Sequence, residues 1–162
     1  MFGIEKAREE LLASVEGLTD EQLNNEVEEG RWTVAQVLDH LYLMEQGITG
    51  QIQRALADPE KSPAREKKPI ERTMDRSYKV ESPESFQPAK TFLSREEIMN
   101  RLNESRAQLF SVIKGVGDET VLERKAFKHL VFGTMDLQQW IEFVGYHERR
   151  HLEQIEELKA EL

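Results

Sequence analysis

All five prolines of this 162-residue chain, Pro59, Pro63, Pro69, Pro83 and Pro88, fall between Asp58 and Leu93. Proline lacks a backbone donor and clashes with the preceding helical turn, so regular structure cannot persist through that stretch. The residues on either side are free to form long helices, and their apolar positions recur at a helical period. Ile4, Ala7, Leu11, Leu12 and Val15 predict a first helix from about Phe2 to Glu16, followed by a helical turn at Asp20 to Leu23. Thr33 with Gln36 makes a capping box ahead of Val34, Val37, Leu38, Leu41, Met44, Ile48 and Ile52, which carry a second helix to about Ala57. Ser94 with Glu97 begins a third, continued by Ile98, Leu102, Leu109, Phe110 and Ile113 and closed by Gly115 and Gly117. Asp136, with Gln139 as box partner, begins a fourth through Trp140, Ile141, Phe143, Val144, Leu152, Ile155 and Leu158. Between the last two, Val121 to Thr134 reads as irregular or a small hairpin turning at Gly133.

Four long helices and one long connection describe an all-α protein, a four-helix bundle with a proline-rich crossover between helices 2 and 3. A chain of this length fits one domain over 1–162, large enough to bury a core without a disulfide or a structural metal. The crossover is expected to run as a strap along the bundle, pinned by Tyr78 and Phe86.

The balance of 22 Lys and Arg against 31 Asp and Glu gives a net charge of −9, which repels phosphate backbones and anionic membrane surfaces. A small-molecule substrate is expected rather than nucleic acid or a membrane. Cysteine is absent, so thiol chemistry would need a thiol from outside. Met1 to Leu18 has no basic segment leading into an apolar run, and no apolar stretch reaches the roughly 18 to 20 residues that cross a bilayer. The expected compartment is the cytoplasm.

Histidine is a poor core filler and a good ligand. Trp140, Val144, His147, His151, Ile155 and Leu158 share one face of the fourth helix, which turns two imidazoles one helical turn apart toward the core. On the second helix His40 flanks the stripe of Val37, Leu41 and Met44 and can reach the same region. A single inward histidine is more often a hydrogen-bonded core residue. Two at i, i+4 with a third nearby point instead to a metal held by His40, His147 and His151, with a position left open for chemistry. Zinc, nickel, copper and iron all suit such a donor set. His129 reads as a surface or loop residue, with lining of the pocket as the lesser alternative, and Trp32, Trp140 and the methionines as packing.

His147-Glu148-Arg149-Arg150-His151 also matches the H-E-x-x-H pattern in which the glutamate is a general base. A zinc protease needs a further ligand well downstream, and only 11 residues follow His151. Glu148 can be a base or an outer partner of the metal, but its helical angle favours a solvated partner of the neighbouring arginines. Arg149 and Arg150 can bind an anionic cosubstrate, against a plainer reading of solvent exposure and pairing with Glu153 and nearby acids. Gln36 and Tyr146 are weaker outer-sphere candidates.

Trp32-Thr33-Val34-Ala35-Gln36-Val37-Leu38-Asp39-His40-Leu41, the Ser82-Pro83-Glu84-Ser85-Phe86-Gln87-Pro88 segment, the Phe132-Gly133-Thr134-Met135 turn, and Trp140 through Ile155 together resemble the DinB superfamily. The resemblance is strongest to its YfiT-like branch of metal-dependent hydrolases and bacillithiol transferases. It spans nearly the whole chain and implies a four-helix bundle, often a homodimer, binding nickel or zinc through three histidines, here His40, His147 and His151. It implies an enzyme that activates water or an external thiol such as bacillithiol. The competing reading is a non-catalytic, stress-associated metal-binding bundle acting as a dimer or through a partner.

Overall fold

The computed structural model describes residues 2–59 and 66–162 of the chain. Its elements are α1 (Ile4–Val15), α2 (Asp20–Leu23), α3 (Val34–Ala57), α4 (Arg95–Gly115), α5 (Val121–Arg124), β1 (Ala126–His129), β2 (Gly133–Asp136) and α6 (Leu137–Lys159). The four long helices stand where the apolar period places them, and local side chains start three of them. Thr33 and Gln36 close a full capping box, with bonds of 2.9 and 3.1 Å, and Ser94 Oγ accepts from the Glu97 amide at 3.1 Å. At α6 the expected box is half formed. Asp136 accepts from the Gln139 amide at 2.8 Å, but the Gln139 side chain turns away to hold both the amide and the carbonyl of Lys68, each at 2.8 Å.

Side-chain pairings set the directions of the helices. Asp39 meets Arg101 and Glu45 meets Arg106, so α3 and α4 run parallel. Arg8 meets Glu148 and Ser14 meets Glu156, so α1 and α6 also run parallel. Arg8 reaches the Leu102 carbonyl, and Arg106 reaches that of Ile4, which sets α1 antiparallel to α4. Parallel neighbours oblige the chain leaving the 24-residue α3 to travel back along the bundle, about 36 Å at 1.5 Å per residue, before α4 can begin. The connection after Asp58 supplies that length; its residues 60–65, Pro63 among them, lie outside the described residues.

The described part of the connection is more ordered than its prolines suggest, with short 3-10 helices at Ile70–Met74 and Glu84–Phe86. Ile70 is buried in the core. Phe86 packs so closely on α3 that a β-carbon at Gly47 would lie 2.6 Å from its Cε1, so only glycine fits there. Tyr78 does not pin the strap as expected, because the residue is 74% exposed. Its carbonyl does so instead, accepting from Arg150, which also donates to the carbonyls of Thr73 and Asp75. A strap segment poor in apolar residues is held better by its backbone carbonyls than by its side chains.

The stretch from 121 to 136 resolves into α5 and an antiparallel hairpin, Ala126 paired with Asp136 and His129 with Gly133. Buried Lys125 reaches from its base to the carbonyls of Ala55 and Leu56 at 3.0 and 3.3 Å, and to that of Asp58. A cation there satisfies the last carbonyls of α3 and opposes the helix dipole. Among the described residues no helix is long and apolar enough to cross a membrane.

Candidate metal centre

His40, His147 and His151 converge on the seam between α3 and α6. One nitrogen from each lies within 4.8 Å of the others, and His147 Nε2 is central, 3.3 Å from His40 Nε2 and 3.2 Å from His151 Nε2. The i, i+4 spacing on α6 brings the pair together, and the antiparallel run of α3 brings His40 to meet it. His40 and His147 are buried and His151 is partly exposed, which gives the cluster one side toward solvent.

The outer nitrogens define which lone pairs face inward. His40 Nδ1 lies 2.7 Å from the Phe86 carbonyl, an acceptor only, so this nitrogen carries the proton and Nε2 presents a lone pair. His151 Nδ1 bonds the Gln154 amide oxygen at 2.8 Å, with the same consequence. His147 Nε2 therefore faces two lone pairs and can donate to at most one. A cation satisfies all three nitrogens together, and a tetrahedral zinc with nitrogens at about 2.0–2.1 Å separates its donors by about 3.3 Å. The donor set fits a divalent transition metal.

Burial holds the imidazoles neutral, the form a ligand must have. It pushes His151 down to about 3, aided by the neighbouring His40, and lowers His40 itself. His147 lies well below the ordinary histidine range, first through burial and then through His151 and His40. These folded values lie under the unfolded value of about 6.5, so the unfolded chain takes up more protons. For the metal-free protein the stabilisation is complete above about pH 6.5 and falls as pH drops toward the folded values. Each such imidazole contributes a slope of at most about 1.4 kcal/mol per pH unit. Thermal midpoints of metal-stripped protein should fall steadily from pH 7 to pH 5; a flat profile would contradict the buried neutral cluster.

Several site residues are placed differently from their sequence reading. Glu148 is not a solvated partner of the adjacent arginines: it is 2% exposed, and its carboxylate is held by Arg8 and Arg106. Oxygens committed to two guanidiniums do not serve as a general base. Arg150 is neither solvent-paired with Glu153 nor open to a cosubstrate, because its guanidinium clamps three strap carbonyls. Arg149 follows its plainer reading instead, paired with a nearby acid, Glu10. His129 is buried rather than a surface residue, its ring 4.7 Å from Phe143, while Nδ1 accepts from the amides of Val131 and Phe132 and burial lowers it to about 4. Phe143 stacks in turn on His147 at 5.4 Å. Gln36 is spent on its cap, and Tyr146 packs against the core.

The orienting partners that sequence reasoning missed are the Phe86 carbonyl and Gln154. Gln154 had a local signal, three residues beyond His151 on the same helix face. A backbone carbonyl 46 residues from its histidine has none. Trp32, expected as packing, stands with its ring 5.0 Å from that of His40 and borders the site.

Comparison with known proteins agrees with this architecture. The sequence profile of the DinB superfamily matches residues 4–155. YuaE of Bacillus subtilis strain 168, an uncharacterized protein, is 32% identical over 159 residues, covering 97% of this chain and 95% of YuaE. Two solved structures share the fold at TM-score 0.64 and 22% identity. One is TT2238, a four-helix bundle protein, with 96% of this chain and 94% of that chain covered. The other is YfiT from Bacillus subtilis, described as a probable metal-dependent hydrolase with an unusual four-helix bundle topology, with 98% and 82% covered.

Proposed function

The chain belongs to the DinB superfamily, and from that membership and its three converging imidazoles we propose a metal-dependent enzyme that activates an external low-molecular-weight thiol or water. The observation that carries the reading is the meeting of three Nε2 atoms, two of them on rings whose outward nitrogens bond the Phe86 carbonyl and the Gln154 side chain. Such an arrangement is unfavourable without a shared cation and favourable with one. His40, His147 and His151 would hold it, with nickel or zinc as the metal. A divalent cation held there would supply Lewis acidity, which lowers the pKa of water or a thiol toward neutrality.

The protein's own residues define the rest of the site. The Phe86 carbonyl and the Gln154 amide fix the ring orientations, as outer partners of metal-bound histidines commonly do. Trp32 beside His40 and Phe143 on His147 wall the cluster with aromatic surface, which limits water and favours an apolar group on the reacting partner. Arg149 and Arg150 are engaged elsewhere, so the substrate is not selected through them. YfiT, described as a probable metal-dependent hydrolase, supports the hydrolytic branch, and the absence of cysteine fits a thiol brought from outside.

Metal-replete protein should be incubated with electrophilic acceptors and ester or amide substrates, with and without a panel of thiols including bacillithiol. Acceptor consumption that requires thiol marks S-transfer, and turnover without thiol marks hydrolysis. A protein holding one metal per chain yet inert toward the whole panel would favour the non-catalytic metal-binding reading.

A further inference from the structure

The apolar interior is divided into two clusters, one containing Ile4, Ile48, Leu109 and Val144 and the other Leu11, Leu41, Leu102 and Ile155. Between them lies a layer of charge to which each long helix contributes: Arg8 from α1, Glu45 from α3, Arg106 from α4 and Glu148 from α6, all buried. The layer is neutral in sum and fully bonded. Arg8 Nη2 donates to Glu45 at 3.0 Å and to Glu148 at 2.9 Å, and Nη1 donates to the Leu102 carbonyl at 2.9 Å. Arg106 Nε donates to Glu45 at 2.7 Å, Nη2 to Glu148, and Nη1 to the Ile4 carbonyl at 2.9 Å. Ser105 Oγ completes Glu45 at 2.7 Å.

We propose that Arg8, Glu45, Arg106 and Glu148 are positioning residues of the metal centre, setting the axial register of α3 against α6 and hence the spacing of His40 from His147. The inference rests on the metal reading above. Both carboxylates sit on the ligand-bearing helices: Glu148 directly follows His147, and Glu45 lies five residues, about 7.5 Å of rigid helix, beyond His40. Both guanidiniums span the two carboxylates, so the ligand helices are tied to each other through charge.

Magnitudes favour a positioning role over a stabilising one. A buried ion-pair cluster is commonly no more stable than apolar residues of the same volume, because desolvation offsets the attraction. An apolar interface, however, specifies register weakly, and a slip of one residue moves a helix about 1.5 Å. Metal coordination tolerates displacements of about 0.2 Å. The charged layer supplies the directional bonds that fix the offset within that limit.

The test replaces the whole layer, Arg8→Met, Glu45→Met, Arg106→Met and Glu148→Met together, and measures helix content, thermal midpoint, and nickel and zinc affinity by chelator competition. The expected result is a helical protein whose midpoint is at least that of the parent, binding metal tenfold or more weakly. Parent-level affinity would overturn the proposal. A conservative pair, Arg8→Lys with Arg106→Lys, keeps the charge but loses the fork that bridges two carboxylates. It should fold and bind metal several-fold more weakly, and unchanged affinity in it also overturns the proposal. A parent chain that binds neither metal would sink the metal reading itself, a result separable from parent-like affinity in the variants.

Discussion

Replacing His147 with alanine is expected to take bound nickel or zinc from one ion per chain to none, while the circular dichroism spectrum of the bundle is unchanged. His147 is the central donor, its Nε2 within 3.3 Å of both other imidazole nitrogens. Without it His40 and His151 remain as two donors from different helices, and two neutral imidazoles do not retain a metal against dialysis. Catalysis should be lost with the metal. The fold should survive because the α6 stripe keeps Trp140, Ile141, Val144, Ile155 and Leu158, all buried. Elemental analysis after gel filtration reads the outcome, and full metal content in the variant would show that other residues hold the ion.

Glu45→Ala should have the opposite signature, a large loss of stability. Glu45 is 2% exposed, and its two oxygens accept from Arg8, Arg106 and Ser105. Its removal leaves two guanidiniums in the core facing a single carboxylate, and breaking a buried pair in this way costs about 3–5 kcal/mol. For a chain of this size each kcal/mol moves the thermal midpoint by roughly 2–4 °C, so a drop of roughly 6–20 °C is expected. Surface pairs such as Arg124 with Asp118 provide the contrast, since both groups stay in water, where solvent and salt screen the attraction. Unfolding followed calorimetrically decides it: a Glu45→Ala midpoint within a degree or two of the parent would mean the layer is not the tightly coupled unit described above.

Much of the architecture was legible because its signals are local. A helix start is written within four residues, as at Thr33 and Gln36, and a buried stripe within a few turns. The pair His147 and His151 was legible for the same reason. The charged layer also left a trace that periodicity alone passes over: Arg8 occupies a stripe position between Ile4 and Leu11, as Glu45 does between Leu41 and Ile48. A charge on an apolar stripe is a demand for partners, and that demand is visible in the residues even when the partners are not.

The partners themselves were not legible. Glu148 is adjacent in sequence to two arginines, yet it pairs with two others 140 and 42 residues away. Arg150 serves the strap rather than a substrate, and His129 is buried by the hairpin packing on Phe143.

The sequence by itself determined the four helices, where three of them begin, and the inward turn of the α6 imidazoles, because each depends on forces acting within one helical segment. Only the tertiary structure decided the parallel and antiparallel directions, the meeting of His40 with the C-terminal pair, and the partners of every buried charge. Those depend on which faces of distant segments exclude water together, and a buried charge takes whatever opposite group that packing brings within reach.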